Sequence, residues 1–403
     1  MRILVVTSTF PRWNSDTEPA FIFDLCKYLQ RQGLVIDVLA PHAHGAKKHE
    51  ILDGVTVYRY QYFISIMQNL TYSGGIMANL KNNPLNYLLV PFLLIFQIIA
   101  LFRRLRSTDY QLIHAHWLIP QGFTCALLNS LPGKNIGSLI CTSHGGDLYS
   151  LDNTIINKIK KWTIDKCDNF CVVSSAMKKK AAALGIAEDK VSIMPMGVDL
   201  DNLFIPVPGV DRLRKRLIFV GRLVEKKGVT CLLDAMVDVV NKFPDIELLV
   251  VGDGPLRCSL EKQASNLELN NNVNFYGSVQ QHQLPDLYSS ASIAVVPSII
   301  DSSGDQEGLG LVIIEAMGCN CAIIASSLEA IRDVIDRQSG LLVTPGKPKE
   351  LADKICYLIN NPVLRRNMAS IGREKALAHF NWTIAGNRYL QLMHKYQDGN
   401  MLD

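Results

Sequence analysis

Residues 191–221 read VSIMPMGVDLDNLFIPVPGVDRLRKRLIFVG, and the interruption at their centre decides how the whole chain is parsed. The apolar runs at 191–196 and 216–221 have the composition of buried strands. Between them, roughly 200–213 carry two prolines and a glycine with no periodicity, which marks a linker. Upstream, short strand-like runs at 3–8, 35–40, 55–60, 112–117, 138–144 and 170–175 alternate with helical patterns such as Phe21–Gln32 and Ala176–Leu184. Downstream the alternation resumes, with runs at 246–252, 273–278, 293–298, 321–326 and 340–345. Strands separated by helices imply parallel sheets covered on both faces. Running that programme twice predicts an α/β protein of two Rossmann-like doubly wound domains, residues 1–205 and 206–380, facing an interdomain cleft. The helical stretch Trp382–Tyr396 follows the second domain, so 381–403 is expected as a C-terminal helix available to cross back to the first.

Composition narrows the function classes. The 403 residues include 41 Lys and Arg against 37 Asp and Glu, and 48% are hydrophobic. Such a chain buries enough surface to offset its ordering entropy, which excludes disorder, and its net charge of +4 excludes a strongly basic nucleic-acid binder. The excess is local: residues 1–205 hold 20 basic and 15 acidic side chains, whereas 206–403 hold 21 and 22. Ten cysteines fall mostly in apolar runs, and neither Cys167/Cys171 nor Cys319/Cys321 is followed by a second pair at zinc spacing. A reducing cytoplasm is the expected location. The opening MRILVVTSTF lacks a small-residue cleavage site and reads as a strand.

One segment argues for a membrane. Tyr87 to Phe102 (YLLVPFLLIFQIIALF) is followed at once by Arg103, Arg104 and Arg106. Sixteen residues fall short of the roughly 20 that a spanning helix needs, and Pro91 and Gln97 interrupt them. The segment reads as a core helix, as a basic-flanked helix lying on anionic lipid or, as the least favoured of the three, as a true span. With Lys158, Lys160, Lys161 and Lys166 it predicts a basic, partly apolar face and a peripheral enzyme at the inner side of a membrane.

Ligands of open parallel sheets bind beyond the carboxyl ends of the strands, and the chemistry-bearing residues cluster in such loops. In DSSGDQEGLGLVIIEAMG (301–318), Glu307 sits in a loop, and Gly308 and Gly310 make a turn into an apolar helix that carries Glu315. A helix opening on Gly-Leu-Gly offers unpaired amides to a diphosphate, while two carboxylates beside it suit sugar and ribose hydroxyls. FVGRLVEKKG (219–228) presents Arg222 and Lys227 past a strand end, as a leaving diphosphate would require, with Lys226 read as solvated. VVGDGP (250–255) is a weaker signal, equally suited to a tight turn. TSHGGD (142–147) ends a strand with His144, Gly145 and Asp147, an imidazole and a carboxylate on a permissive backbone. His114 and His116 share one strand face and read as structural or substrate-lining, since zinc would want a third ligand that local spacing does not supply.

Taken together, these residues resemble the family 4 retaining glycosyltransferases of the GT-B fold. The resemblance runs over nearly the whole chain through RILVVTSTFPR, HAHWLIPQG, SHGGD, VVSSAMKKKAAALGI, PMGVD, VGRLVEKKG, VVGDGP, NFYGSV, EGLGLVIIEAMG and SGLLVTPGKPKELADKI. Glu307 and Glu315 match the family's E-x7-E signature. The resemblance implies that Arg222 and Lys227 bind the donor diphosphate, and that Glu307 holds the donor sugar with amides near Gly308, Leu309 and Gly310. It further implies that Glu315 accepts from the ribose and that Gly277 to Val279 border the base. His144 would approach the donor sugar from the opposite domain, with Gly145 and Asp147 on the acceptor side. Relatives usually carry Gly-x-Pro and later Gly-Gly-x-x-Glu where this chain has Asn320-Cys321-Ala322 and Glu329 to Asp333. They often have Gly-Gly where the first loop reads TSTFPRWNSDTEPAF.

The implied function is retaining transfer of a sugar from a nucleotide-diphosphate donor to a hydroxyl acceptor in surface-glycan or glycolipid biosynthesis. No cofactor or metal is expected, because Arg222 and Lys227 can supply the cationic charge. Two other readings are a sugar-nucleotide epimerase on the same scaffold and a non-catalytic, membrane-associated binding protein. The first would act on donor alone, and the second would not need all of Arg222, Lys227, Glu307 and Glu315.

Overall fold

The computed structural model describes residues 1–398 except 15, 17, 73, 132–136, 151 and 211. Ser15 and Thr17 of the first loop, Asp211 of the linker and 399–403 of the C-terminal segment thus lie outside the described residues. The chain forms two compact units, one made of Met1–Met196 with Ala385–Asp403 and the other of Gly197–Ile384.

The strands of the first unit are β1 (Arg2–Val6), β2 (Val35–Pro41), β3 (His49–Leu52), β4 (Val55–Tyr60), β5 (Leu112–His116), β6 (Ser138–Ser143), β7 (Asn169–Val172) and β8 (Val191–Ile193). They form one sheet in the order β3-β4-β2-β1-β5-β6-β7-β8. All neighbouring pairs are parallel except β3 with β4. β3 is absent from the strand runs read in the sequence, because it is short and mostly exposed. Its signal was the Asp53-Gly54 pair, whose positive φ values of 42° and 87° make the tight hairpin joining β3 to β4.

In the second unit β9 (Leu213–Val220), β10 (Glu247–Val251), β11 (Val273–Gly277), β12 (Ala291–Val296), β13 (Ala322–Ser326) and β14 (Leu341–Val343) run parallel in the order β11-β10-β9-β12-β13-β14. Both faces of this sheet are buried, with Ile218, Leu249 and Ile323 on one and a larger cluster on the other. Leu232, Leu233, Met236, Ile355 and Ile359 from the flanking helices pack with Leu217, Val250, Ile293 and Ile324. The order reverses between β1 and β5 in one unit and between β9 and β12 in the other, and the crevice at such a switch point is where ligands of these sheets bind.

Segment 197–205, within the predicted first domain and overlapping the sequence-read linker from about 200, packs with the second unit. Gly318 lies so close to Leu200 and Phe204 that a β-carbon there would meet both. The last helix, Trp382–Asp398, joins the first unit from Ala385 onward. Its buried Tyr389 donates to the Met194 carbonyl at 2.8 Å.

The apolar segment is longer than its sequence suggested. A helical path runs from Pro84 to Ser107, 24 residues, long and apolar enough to cross a membrane by length and composition. Pro91 does not interrupt it, since it lies in the first turn of the α-helix Val90–Ser107, where an amide hydrogen has no intrahelical partner. Gln97 does not interrupt it either. The side chain is buried and satisfied, accepting from Tyr60 at 2.9 Å and donating to Thr124 at 2.6 Å. Only one face is core: Leu89, Leu93 and Leu101 are buried, whereas Leu85, Leu88 and Ile95 are exposed to 72%, 70% and 53%. Two expected members of the basic face belong elsewhere. Lys160 is fully buried, donating to the carbonyls of Leu148 and Ser150, and Arg104 is turned inward onto Tyr110, Tyr58 and Asp37.

Candidate functional site

The cationic and acidic loops of the second unit meet at its switch point. After β9 the chain turns through Gly221 and Arg222 into the short 3-10 turn Glu225–Lys227, and after β12 it runs through 297–310 into the helix Leu311–Gly318. The two loops are laced together. Ser302 donates to Glu225 through its amide and hydroxyl, Lys226 pairs with Asp305 at 2.9 Å, and Lys227 pairs with Glu307 at 2.6 Å. Lys226, read as solvated from sequence, is therefore part of the lacing. Gly228 closes the turn at φ +67°, where a β-carbon would collide with the Pro297 carbonyl. Gly310 sits at φ +89° as the N-cap of the next helix, which lets the loop enter the helix directly after Glu307.

Glu307 is mostly shielded, with 14% of its side chain exposed. Burial raises its pKa, but Lys227, Lys226 and the Gly308 amide outweigh that, so the carboxyl titrates below its ordinary value. Any stability from the pair is then fully present above the usual glutamate pKa of about 4.3 and is lost as pH falls through the lower folded value. Lys227→Met should accordingly destabilise the chain to urea at pH 7, with the gap from wild type closing below pH 4. A gap unchanged at acid pH would show that the ion pair is not its source.

Glu315 lies further along the same helix, half-buried, and accepts a 3.1 Å hydrogen bond from Tyr288. Tyr288, fully buried on the helix Leu284–Ser290, carried no sequence signal as a site residue. Leu309 is buried beside Glu307. Gly277 ends β11 at φ +84°, followed by half-buried Val279. Gly277 accepts from the Gly252 amide at 2.8 Å, and a β-carbon on Gly252 would strike the Gly221 carbonyl. The VVGDGP motif thus holds the Arg222 turn in place: the Leu223 amide donates to Asp253 at 2.9 Å and the Leu256 amide to Leu223 at 3.1 Å.

In the first unit, the ends of β5 and β6 assemble three histidines. His144 follows β6, and its Nε2 meets Nδ1 of His116 at 3.0 Å. The two rings are stacked, and Phe21 and Trp117 pack against His144 at 5.0 and 5.1 Å. His114 Nε2 meets the Thr142 hydroxyl at 2.8 Å. Burial lowers the pKa of all three, to about 3 for His114 and His144 and well below normal for His116, so each ring is neutral at pH 7. His144 was thus joined by a partner on a neighbouring strand that local spacing could not show. Gly145, at φ +113°, caps the short helix Gly146–Tyr149. Asp147 on that helix uses both carboxylate oxygens internally, accepting from Leu118 N at 2.5 Å and Ser143 Oγ at 2.7 Å. Burial raises its pKa from the ordinary value despite those bonds.

The sequence contains one Asp-x-Asp, Asp199-Leu200-Asp201, and both carboxylates are engaged: Asp199 accepts from the Asn202 amide and Asp201 from the Asn381 side chain, each at 2.9 Å. Among the described residues no group of three or more His, Cys, Asp or Glu is arranged to hold a metal ion.

Comparison with known proteins agrees with this arrangement. The profile described as Glycosyltransferase Family 4 matches residues 20–202, and that described as Glycosyl transferases group 1 matches 205–375. The phosphatidyl-myo-inositol mannosyltransferase of Mycobacterium tuberculosis is 28% identical over 93% of this chain and 91% of its own length. An uncharacterized glycosyltransferase of Methanocaldococcus jannaschii is 30% identical over 69% of this chain and 73% of its own. Among solved structures, Anabaena HepE in complex with UDP-glucose superimposes with a TM-score of 0.72 over 98% of this chain and 100% of its own, at 18% identity. Two parallel doubly wound sheets, the Glu307 and Glu315 helix entry, and matches along both halves lead to one assignment: the chain belongs to the family 4 glycosyltransferases of the GT-B fold.

Proposed function

We propose that this glycosyltransferase moves a sugar from a nucleoside diphosphate to a hydroxyl acceptor with retention at C1 and without a metal ion. The observation that carries this reading is the Lys227–Glu307 pair, held beside a helix N-terminus at the β9/β12 switch point. In the donor-free chain each side chain orders the other. A bound diphosphate becomes the anionic partner of Lys227 and Arg222, and Glu307 turns to the sugar hydroxyls with the amides of Gly308, Leu309 and Gly310. Glu315 holds the ribose, Gly277 and Val279 border the base, and His144 bonds the sugar. The bond from C1 to the leaving phosphate oxygen breaks while the acceptor oxygen bonds C1 on the same face. The acceptor proton passes to the departing phosphate.

The test is a panel of nucleotide sugars, scored first for slow donor hydrolysis and then for transfer, with the product anomer read by NMR. One donor should be consumed, the product should keep the donor's anomeric configuration, and EDTA should leave the rate unchanged. An inverted product, or activity abolished by EDTA and restored by Mg²⁺, would overturn the mechanism. Epimerised donor without transfer would favour the epimerase reading.

The acceptor is proposed to be lipid-linked or part of a growing surface glycan, reached from the cytoplasmic face of a membrane. Support comes from the exposed apolar face of the helix Pro84–Ser107, with Arg103 and Arg106 exposed at its end, and from the relative named for phosphatidyl-myo-inositol. Near anionic lipid each exposed cation adds about 1 kcal/mol, falling off within a Debye length. Flotation with anionic vesicles should be seen at low salt and should weaken with salt, with Arg103→Ser/Arg106→Ser and with Leu88→Ser/Ile95→Ser. No flotation at low salt would sink the membrane placement.

A further inference from the structure

Among the described residues, two buried nitrogens in the histidine group have no hydrogen-bond partner, Nδ1 of His114 and Nε2 of His116, and both residues are fully buried. A neutral imidazole carries one N–H and one lone pair. The 3.0 Å contact between His116 Nδ1 and His144 Nε2 holds a single hydrogen, and its owner fixes both tautomers. Were His144 the donor, the proton of His116 would sit on Nε2, as a buried N–H facing no acceptor. With His116 as donor, only a lone pair is left unmatched there, and an orphaned donor is the rarer and costlier defect. The same logic at His114 places its proton on Nε2, toward the Thr142 hydroxyl.

We infer that His116 is a positioning residue which, by donating from Nδ1, fixes His144 as the Nδ1–H tautomer. His144 then offers a hydrogen-bond donor, not a base, to an oxygen of the bound sugar. Among the described residues its Nδ1 has no hydrogen-bond partner, and the ring is packed against His116, Phe21 and Trp117. This inference rests on His144 serving the donor sugar.

The test uses the full chain labelled with ¹⁵N-histidine. Long-range ¹H–¹⁵N correlation in the wild type should show His144 protonated at Nδ1 and not at Nε2. Protonation at Nε2 would overturn the inference whatever the kinetics show. His116→Leu should lose this tautomer preference and lower kcat/KM for the donor about tenfold, the loss of one good hydrogen bond. His116→Asn, whose amide nitrogen can take the place of Nδ1, should restore most of the activity. His116→Gln, which puts its amide where Nε2 was, should not. An Asn variant as impaired as the Leu variant would overturn the positioning role. His144→Ala separates the two readings: a fully active variant removes His144 from the sugar and takes the inference with it, whereas an inactive one alongside Nε2 protonation in the wild type sinks the inference alone.

Discussion

Arg222→Ala and Lys227→Ala should each lower kcat by about two to three orders of magnitude, the scale for removing one preorganised charge partner of a leaving group, while weakening donor binding far less. Negative charge on the departing diphosphate grows as the bond to C1 stretches, so a cation facing it stabilises the transition state more than the ground state. The structure adds a second consequence at Lys227. Its ammonium holds Glu307 ionised in a shielded position, so its removal also leaves a carboxylate without its 2.6 Å partner. Lys227→Ala should therefore be worse than Arg222→Ala. Single-turnover rates against donor dissociation constants decide the matter: equal losses in ground-state affinity and in rate would show that these cations bind donor without assisting its departure.

Glu315→Ala should act on the other parameter, raising the donor KM about 10- to 100-fold through the loss of roughly 1.5–3 kcal/mol from a charged hydrogen bond. Its carboxylate is positioned by buried Tyr288, so a ribose hydroxyl would meet an acceptor that has already lost its freedom to rotate. A donor lacking the ribose hydroxyls should bind wild type and variant equally. Unchanged KM for the natural donor in the variant would remove Glu315 from the site.

By itself, the sequence determined the two-fold strand and helix programme, the family, the loops that carry Arg222, Lys227, Glu307 and His144, and the helix that carries Glu315. Each of those features is local: apolar runs of strand length, a glycine before a helix, a charge at a strand end. What only the tertiary structure decided lies between segments far apart in the chain. The Lys226–Asp305 and Lys227–Glu307 pairs join residues some eighty positions apart, and His116 reaches His144 across adjacent strands. Gly252 acts through the Gly221 carbonyl, and the last helix binds Met194 through Tyr389. The burial of Lys160 was hidden because a lysine in a helical pattern reads as solvated until the carbonyls that receive it are placed. Parallel sheets bring strand ends together by crossover, so partners at a switch point share no sequence spacing, and only packing sets which of them meet.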